Sequence, residues 1–138
     1  MFLYFLTIWP ILYLLLNNSS KWYESISKTT DIKIKRNFIA CFHTCTALTL
    51  SFLYYIYPDS NYKLKLFNFS SSYFIWDTYL ITTNYFKKES CFIYHHLVTL
   101  YMLELIKSGI ESNVINIIFL IGELSNTMYY PVYHYMKL

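Results

Sequence analysis

At 138 residues the chain is one domain long, and apolar and aromatic fractions of 56% and 22% stand against only 14% charged residues. A soluble domain carries about 25% charged residues to wet its surface, disorder requires low hydrophobicity, and two glycines and three prolines exclude collagen-like and linker-like chains. The net charge of +3 is too small and too dispersed for a nucleic-acid surface, so the balance is that of a membrane protein.

A spanning helix needs about 20 mostly apolar residues. Residues 2–16 are uncharged and apolar around Pro10, and they lack the basic n-region and cleavage site of a removable signal, so they read as a span. Lys21 to Arg36 is polar and mixed in charge, and reads as a connector. Residues 37–57 then run without a charge, interrupted only by His43, until the turn cluster Pro58-Asp59-Ser60-Asn61. Residues 66–86 hold Asp77, whose central carboxylate costs about 2.5–3.5 kcal/mol to insert, so this third span needs a bundle around it. Lys87-Lys88-Glu89 closes it. A fourth span over 90–106 carries His95-His96, a short loop surrounds Gly109, and a fifth span over 112–135 carries Glu123.

The expected fold is therefore all-α, a multi-pass transmembrane bundle of about five spans. Residues 1–34 form an N-terminal span with its connector, and 35–138 the main helical domain. The connector, the 87–89 loop and the C-terminus would lie on one side with eight of the eleven Lys and Arg. The positive-inside rule then makes the C-terminus cytosolic and the N-terminus lumenal or exterior. Glycosylation triplets begin at Asn17, Asn18 and Asn68, each at or inside a span or on its cytosolic flank, so none is expected to be used. Three cysteines give no disulfide framework. Cys41 and Cys45, one turn apart in an apolar run, are expected to pack as small hydrophobes, and Cys91 is a possible acylation site beside a basic loop. Abundant Tyr, Phe, Ile, Asn and Lys match AT-rich codons, as in the genome of a parasite or a large virus.

Ionisable residues inside spans are costly, so each is a candidate functional residue. Helical spacing places Arg36, Ala40, His43, Ala47 and Ser51 on one stripe, and Ser70, Tyr73, Asp77 and Asn84 on another. His95, Thr99 and Met102 share a third, and Asn116, Glu123, Thr127, Tyr130 and His134 a fourth. Four polar stripes predict a bundle with a polar interior. Buried carboxylates and imidazoles could take and give protons to an amine or hydroxyl, the parts of an acyl transfer. The same groups could equally do no more than hydrogen-bond across helices. Adjacent histidines lie about 100° apart on a helix and cannot both point at one atom, and spaced histidine boxes are absent, so no metal is assigned.

The segments R-N-F-I-A-C-F-H (Arg36 to His43), S-S-Y-F-I-W-D (Ser71 to Asp77), F-I-Y-H-H (Phe92 to His96) and Glu123-Leu124-Ser125 occur in this order. In order and spacing they resemble the TLC-domain family, which takes in the translocating-chain-associated membrane protein, the longevity-assurance ceramide synthases and a ceroid-lipofuscinosis protein. The resemblance covers roughly residues 35–130 and looks strongest to the small TLC-domain-only transmembrane proteins. It implies a multi-pass protein of the endoplasmic reticulum, or of a host membrane were the gene viral, acting on membrane-lipid composition, sensing or transport. Ceramide synthases in the family acylate a sphingoid amine with acyl-CoA and carry H-D-x-x-D where this chain reads Gly122-Glu123-Leu124-Ser125-Asn126. Catalysis is therefore not assured, and acyl-CoA enters only as substrate of a lipid N-acyltransferase, with no cofactor expected. His95, His96, Asp77 and Glu123 are the candidate catalytic residues; Arg36, His43, Tyr73 and Ser125 are the candidate interior or lipid-binding polar residues. The smaller relatives continue past the point where this chain reaches Leu138. The expectation is a shortened domain, degenerate or completed by a second copy or another membrane protein, with membrane lipids as partners and no nucleic acid.

Overall fold

The computed structural model describes residues 2–16, 28–58, 61–84 and 86–135, with side chains for 2–16, 31–58, 61–84 and 89–132. These residues form five α-helices and no strand: α1 (Phe2–Leu15), α2 (Lys28–Ile56), α3 (Tyr62–Asn84), α4 (Phe86–Ser108) and α5 (Ser112–Tyr135). The all-α expectation holds. Of these helices α2 alone, over Asp31–Ile56 with a mean hydropathy of 1.4, is long and apolar enough by itself to cross a membrane.

Three helix starts differ from expectation, and the third span, expected over 66–86, is α3 over Tyr62–Asn84. The 37–57 segment was expected to follow a polar connector, yet α2 starts at Lys28 and carries Lys33, Lys35 and Arg36 in its opening turns. Local pairing explains the extension: Lys35 donates to Asp31 at 2.6 Å across one turn, and Asp31 suits the positive end of the helix dipole. The segment expected to begin at 90 starts at Phe86, and Glu89 inside it is non-helical at φ −128°, ψ 22°. Lys21, Glu24, Asn17, Asn18, Asp59 and Ser60 lie outside the described residues, as do the side chains of Lys87, Lys88 and His134.

α2, α3, α4 and α5 form a closed ring in which each packs on two neighbours, and α1 lies outside it against α3 and, more lightly, α2. Pairings give the directions. Ser51 meets Asn116, Thr44 meets Glu123 and Tyr54 meets Ser112, so α2 and α5 run antiparallel. Phe5 meets Phe69, Trp9 meets Ser72 and Tyr13 meets Trp76, so α1 and α3 run parallel. Short connections give this up-down alternation.

The α4–α5 turn is closed by a Schellman motif. Gly109, at φ +83°, donates to Ile106 O at 3.2 Å, and Ile110 donates to Leu105 O at 3.2 Å. The apolar core gathers Trp9, Ile39, Ala47, Leu66, Phe69, Phe74, Leu103, Ile106 and Phe119. Cys45 and Cys91 are exposed and Cys41 half-buried, all free, so the α2 pair faces outward and does not pack in the core. Asn68 is buried and its amide donates to Leu64 O at 2.8 Å.

Candidate functional site

Arg36 stands in the third turn of α2, one polar side chain in an increasingly apolar helix, and only 6% of it is exposed. A guanidinium cannot give up its proton in a protein, so burying it requires carboxylates. Two supply them. Nε and Nη2 donate to the two oxygens of Asp77 on α3 at 2.6 and 3.0 Å, a bidentate fork. Nη1 donates to Glu89 Oε2 at 2.5 Å, and Lys33 Nζ lies 2.7 Å from Glu89 Oε1. The break at Glu89 turns that carboxylate inward from the start of α4. Lys33, Arg36, Asp77 and Glu89 sum to zero charge, and they tie α2, α3 and α4 together at one end of the ring. Phe92 places its ring 5.2 Å from Arg36 Cζ, a cation–π contact.

Burial alone would raise the Glu89 carboxyl pKa. The Lys33 hydrogen bond and the Arg36 guanidinium outweigh that and hold it below the ordinary carboxylate range.

The histidine pair divides. His96 is buried, with Nε2 3.3 Å from Asp77 Oδ2 and Nδ1 2.9 Å from the Thr78 hydroxyl. The Asp77 contact is of ion-pair length, and the tautomer decides which of Nδ1 and the Thr78 hydroxyl donates. Both nitrogens are thereby engaged. His95 is exposed at the rim of the same site, its ring 5.8 Å from that of His96 and 6.3 Å from that of Phe74. The 100° step between successive helical residues imposes this division.

Deeper in the ring, His43 is 1% exposed and stacked on Tyr73 at 3.9 Å with an interplanar angle of 12°. Trp9 and Phe74 close on its edges. Its Nε2 has no hydrogen-bond partner among the described residues. Glu123 reaches in from α5, 3% exposed, and accepts from Thr44 Oγ1 at 2.8 Å.

These groups border one cavity of about 30 Å³, lined among others by Arg36, His43, Tyr73, Asp77, His95, His96 and Glu123. A cavity needs about 10–15 Å³ to hold a water, so this one has room for a water or two between His43 and the carboxylates. Ligand pockets run to about 300–1,000 Å³, an order of magnitude larger. The arrangement can hold and relay a proton, or take the polar tip of a larger molecule.

Seven of the eight sequence-derived candidates thus converge. Ser125 does not: it is exposed on α5 and its hydroxyl donates to Gly122 O at 2.7 Å, the local bond a helical serine makes when nothing else is near. Sequence reasoning missed Glu89, assigned to a loop, and also Thr44, Thr78 and Phe92. Thr44 follows His43 directly, and Glu89 was the one acid among loop lysines, so both carried a faint signal. Among the described residues no group of three or more His, Cys, Asp or Glu side chains is arranged to hold a metal ion. Neither a family model, nor a curated protein, nor a solved structure matches this chain.

Proposed function

We propose that the chain is a multi-pass integral membrane protein of TLC type that acts in membrane-lipid composition, sensing or transport. One observation carries this reading: the polarity is inside out. Ion pairs, histidines and Glu123 occupy the interior, while large apolar side chains stand exposed on every helix. They include Leu3 and Leu14 on α1, Phe42 and Phe52 on α2, Tyr79 on α3, Leu97 and Val98 on α4, and Ile118 and Ile121 on α5. A monomeric soluble protein rarely exposes contiguous apolar patches beyond a few hundred Å². Bilayer hydrocarbon would cover these side chains at no cost. The carboxylates of Asp77 and Glu123 are partnered within the bundle, by Arg36 and Thr44, as intramembrane charges are.

On this reading the N-terminus is lumenal, the C-terminus cytosolic, and the endoplasmic reticulum the expected membrane. A second reading, an acyl-CoA-dependent lipid acyltransferase, draws on the Asp77–His96 pair. His95, with its ring at the cavity rim, would then be the base, because His96 has both nitrogens engaged.

The test has two stages. Membranes of expressing cells are washed with alkaline carbonate, and the chain is expected to stay in the pellet; release into the supernatant removes the membrane reading. Lipid profiles are then compared for the native chain and a His95→Ala/His96→Ala double variant at matched membrane abundance. Acyl-chain changes with the native chain alone support action on lipid, and unchanged profiles in both leave neither activity standing.

A further inference from the structure

A second, larger depression lies away from the ion-pair cluster. It measures about 370 Å³ and runs between the start of α1, the first half of α3 and the end of α4. That volume falls within the range of ligand pockets, whereas the polar cavity falls far below it. Phe2, Phe67, Ile75 and Leu100 form its apolar walls, and Asn68, Ser71 and Glu104 are its polar groups. The Asn68 amide donates to Leu64 O. Ser71, 4% exposed, borders the groove, and its hydroxyl has no hydrogen-bond partner among the described residues. Ser72 beside it bonds Phe69 O at 2.7 Å, so helical back-bonding was open to this segment and Ser71 does not use it. An orphaned buried hydroxyl costs roughly 1–3 kcal/mol unless something completes it.

The end of the groove is charged. Glu104 borders it and pairs with Lys107 at 3.2 and 3.3 Å, and the Lys107 ammonium lies 4.3 Å from the centre of the Phe67 ring. Ser71 is one helical turn from Phe67, about 6 Å further along α3.

We propose that this groove binds one acyl chain of a zwitterionic membrane phospholipid. The headgroup lies over the Glu104–Lys107 pair beside Phe67, the ester carbonyl accepts from Ser71, and the chain lies along Ile75 and Leu100. The Glu104–Lys107 pair is net neutral, as the headgroup is, and offers it one charge of each sign. The 6 Å offset matches an ester lying just below its headgroup. This rests on the membrane reading above and adds a lipid class and a position to it. The groove uses the bundle end where α1 and α3 begin and α4 ends. The Arg36 cluster uses the opposite end, so the two sites face opposite leaflets.

The experiment places the purified full-length chain in nanodiscs of phosphatidylcholine carrying a diazirine on one acyl chain, followed by illumination, digestion and mass spectrometry. Focused labelling of residues 67–75 and 100–104, displaced by unlabelled phosphatidylcholine, is expected. Ser71→Ala should lower it about fivefold, the worth of one hydrogen bond. Ile75→Trp, at an already exposed position, should fill the groove and lower labelling at least as far without touching the core. Even labelling over all exposed helix faces, unchanged by Ile75→Trp, overturns the proposal. So does labelling of residues 67–75 and 100–104 that is present with one copy per disc and lost with two, which makes the occupant a second chain. A chain that fails to enter nanodiscs overturns the membrane reading itself and this proposal with it.

Discussion

Arg36 makes the strictest demand of any residue in the molecule, because a buried guanidinium keeps its charge whatever its surroundings. Asp77 meets it with two hydrogen bonds and Glu89 with a third. Removing one partner of such a cluster costs more than removing both, since the survivor is left charged and dry. Asp77→Asn is expected to destabilise the bundle by about 3–5 kcal/mol. Arg36→Met/Asp77→Leu should recover a large part of that loss, read as the thermal midpoint by circular dichroism in detergent. A double variant no better than the single would mean the two side chains are not coupled. Glu89 gives the cluster a pH dependence. Its carboxyl pKa is held below the ordinary value, so its stabilising contribution is complete above about pH 4.3 and is lost as pH falls through the lower folded value. The stability gap between the native chain and Glu89→Gln should therefore be constant near neutrality and close on acidification below about pH 4.3. A gap that widens in acid would reverse the assignment.

At the scale of elements, the two glycines separate backbone need from packing need. Gly109 ends α4 at φ +83°, and a Cβ there would meet nothing within 4 Å, so its requirement is conformational alone. Gly122 lies inside α5 with equally open space and no positive φ. Gly109→Ala is expected to cost about 1 kcal/mol, the left-handed penalty, and Gly122→Ala to add about 0.5–1 kcal/mol through helix propensity. Opposite shifts in the unfolding midpoint check the pair, and equal signs would contradict the Schellman closure. Helix boundaries follow similar local chemistry. Asp31 and Lys35 extend α2 back to Lys28 although the apolar run begins only after Arg36. Glu89 breaks α4 where its carboxylate turns toward Arg36.

In the whole molecule, polar contacts lie along the seams of a closed four-helix ring. Between α2 and α5 three contacts repeat at intervals: Ser51 with Asn116, Tyr54 with Ser112 and Thr44 with Glu123. Each joins a side chain that would be costly to bury alone to one that completes it. α1 contributes Trp9, whose indole donates to Ser72 at 2.8 Å and whose ring walls the His43 stack. It thus seals the α2–α3 side of the polar interior from outside the ring. The outer faces of the described helices carry large apolar side chains, among them Leu14, Phe52, Tyr79, Val98 and Ile121.

Much of this was legible without coordinates. Long segments with few Gly and Pro, whose polar residues recur every three or four positions, specify helices. Residues three or four apart share a helix face by geometry alone, so the stripes through Arg36 and His43, Tyr73 and Asp77, and Glu123 and Tyr130 followed from spacing. Periodicity is silent on rotation and on partners. His95 and His96 are equivalent in the sequence, and only the position of α3 beside α4 turns His96 toward Asp77 and leaves His95 at the exposed rim of the cavity. Ser125 lies near Glu123 in sequence, yet its angular position on α5 takes it to the outer face. Glu89 joined the site through a break in helix geometry that composition does not encode. The sequence by itself determined the elements and their polar faces, since both are local. The tertiary structure decided which polar groups meet, because that depends on how each helix is rotated against its neighbours.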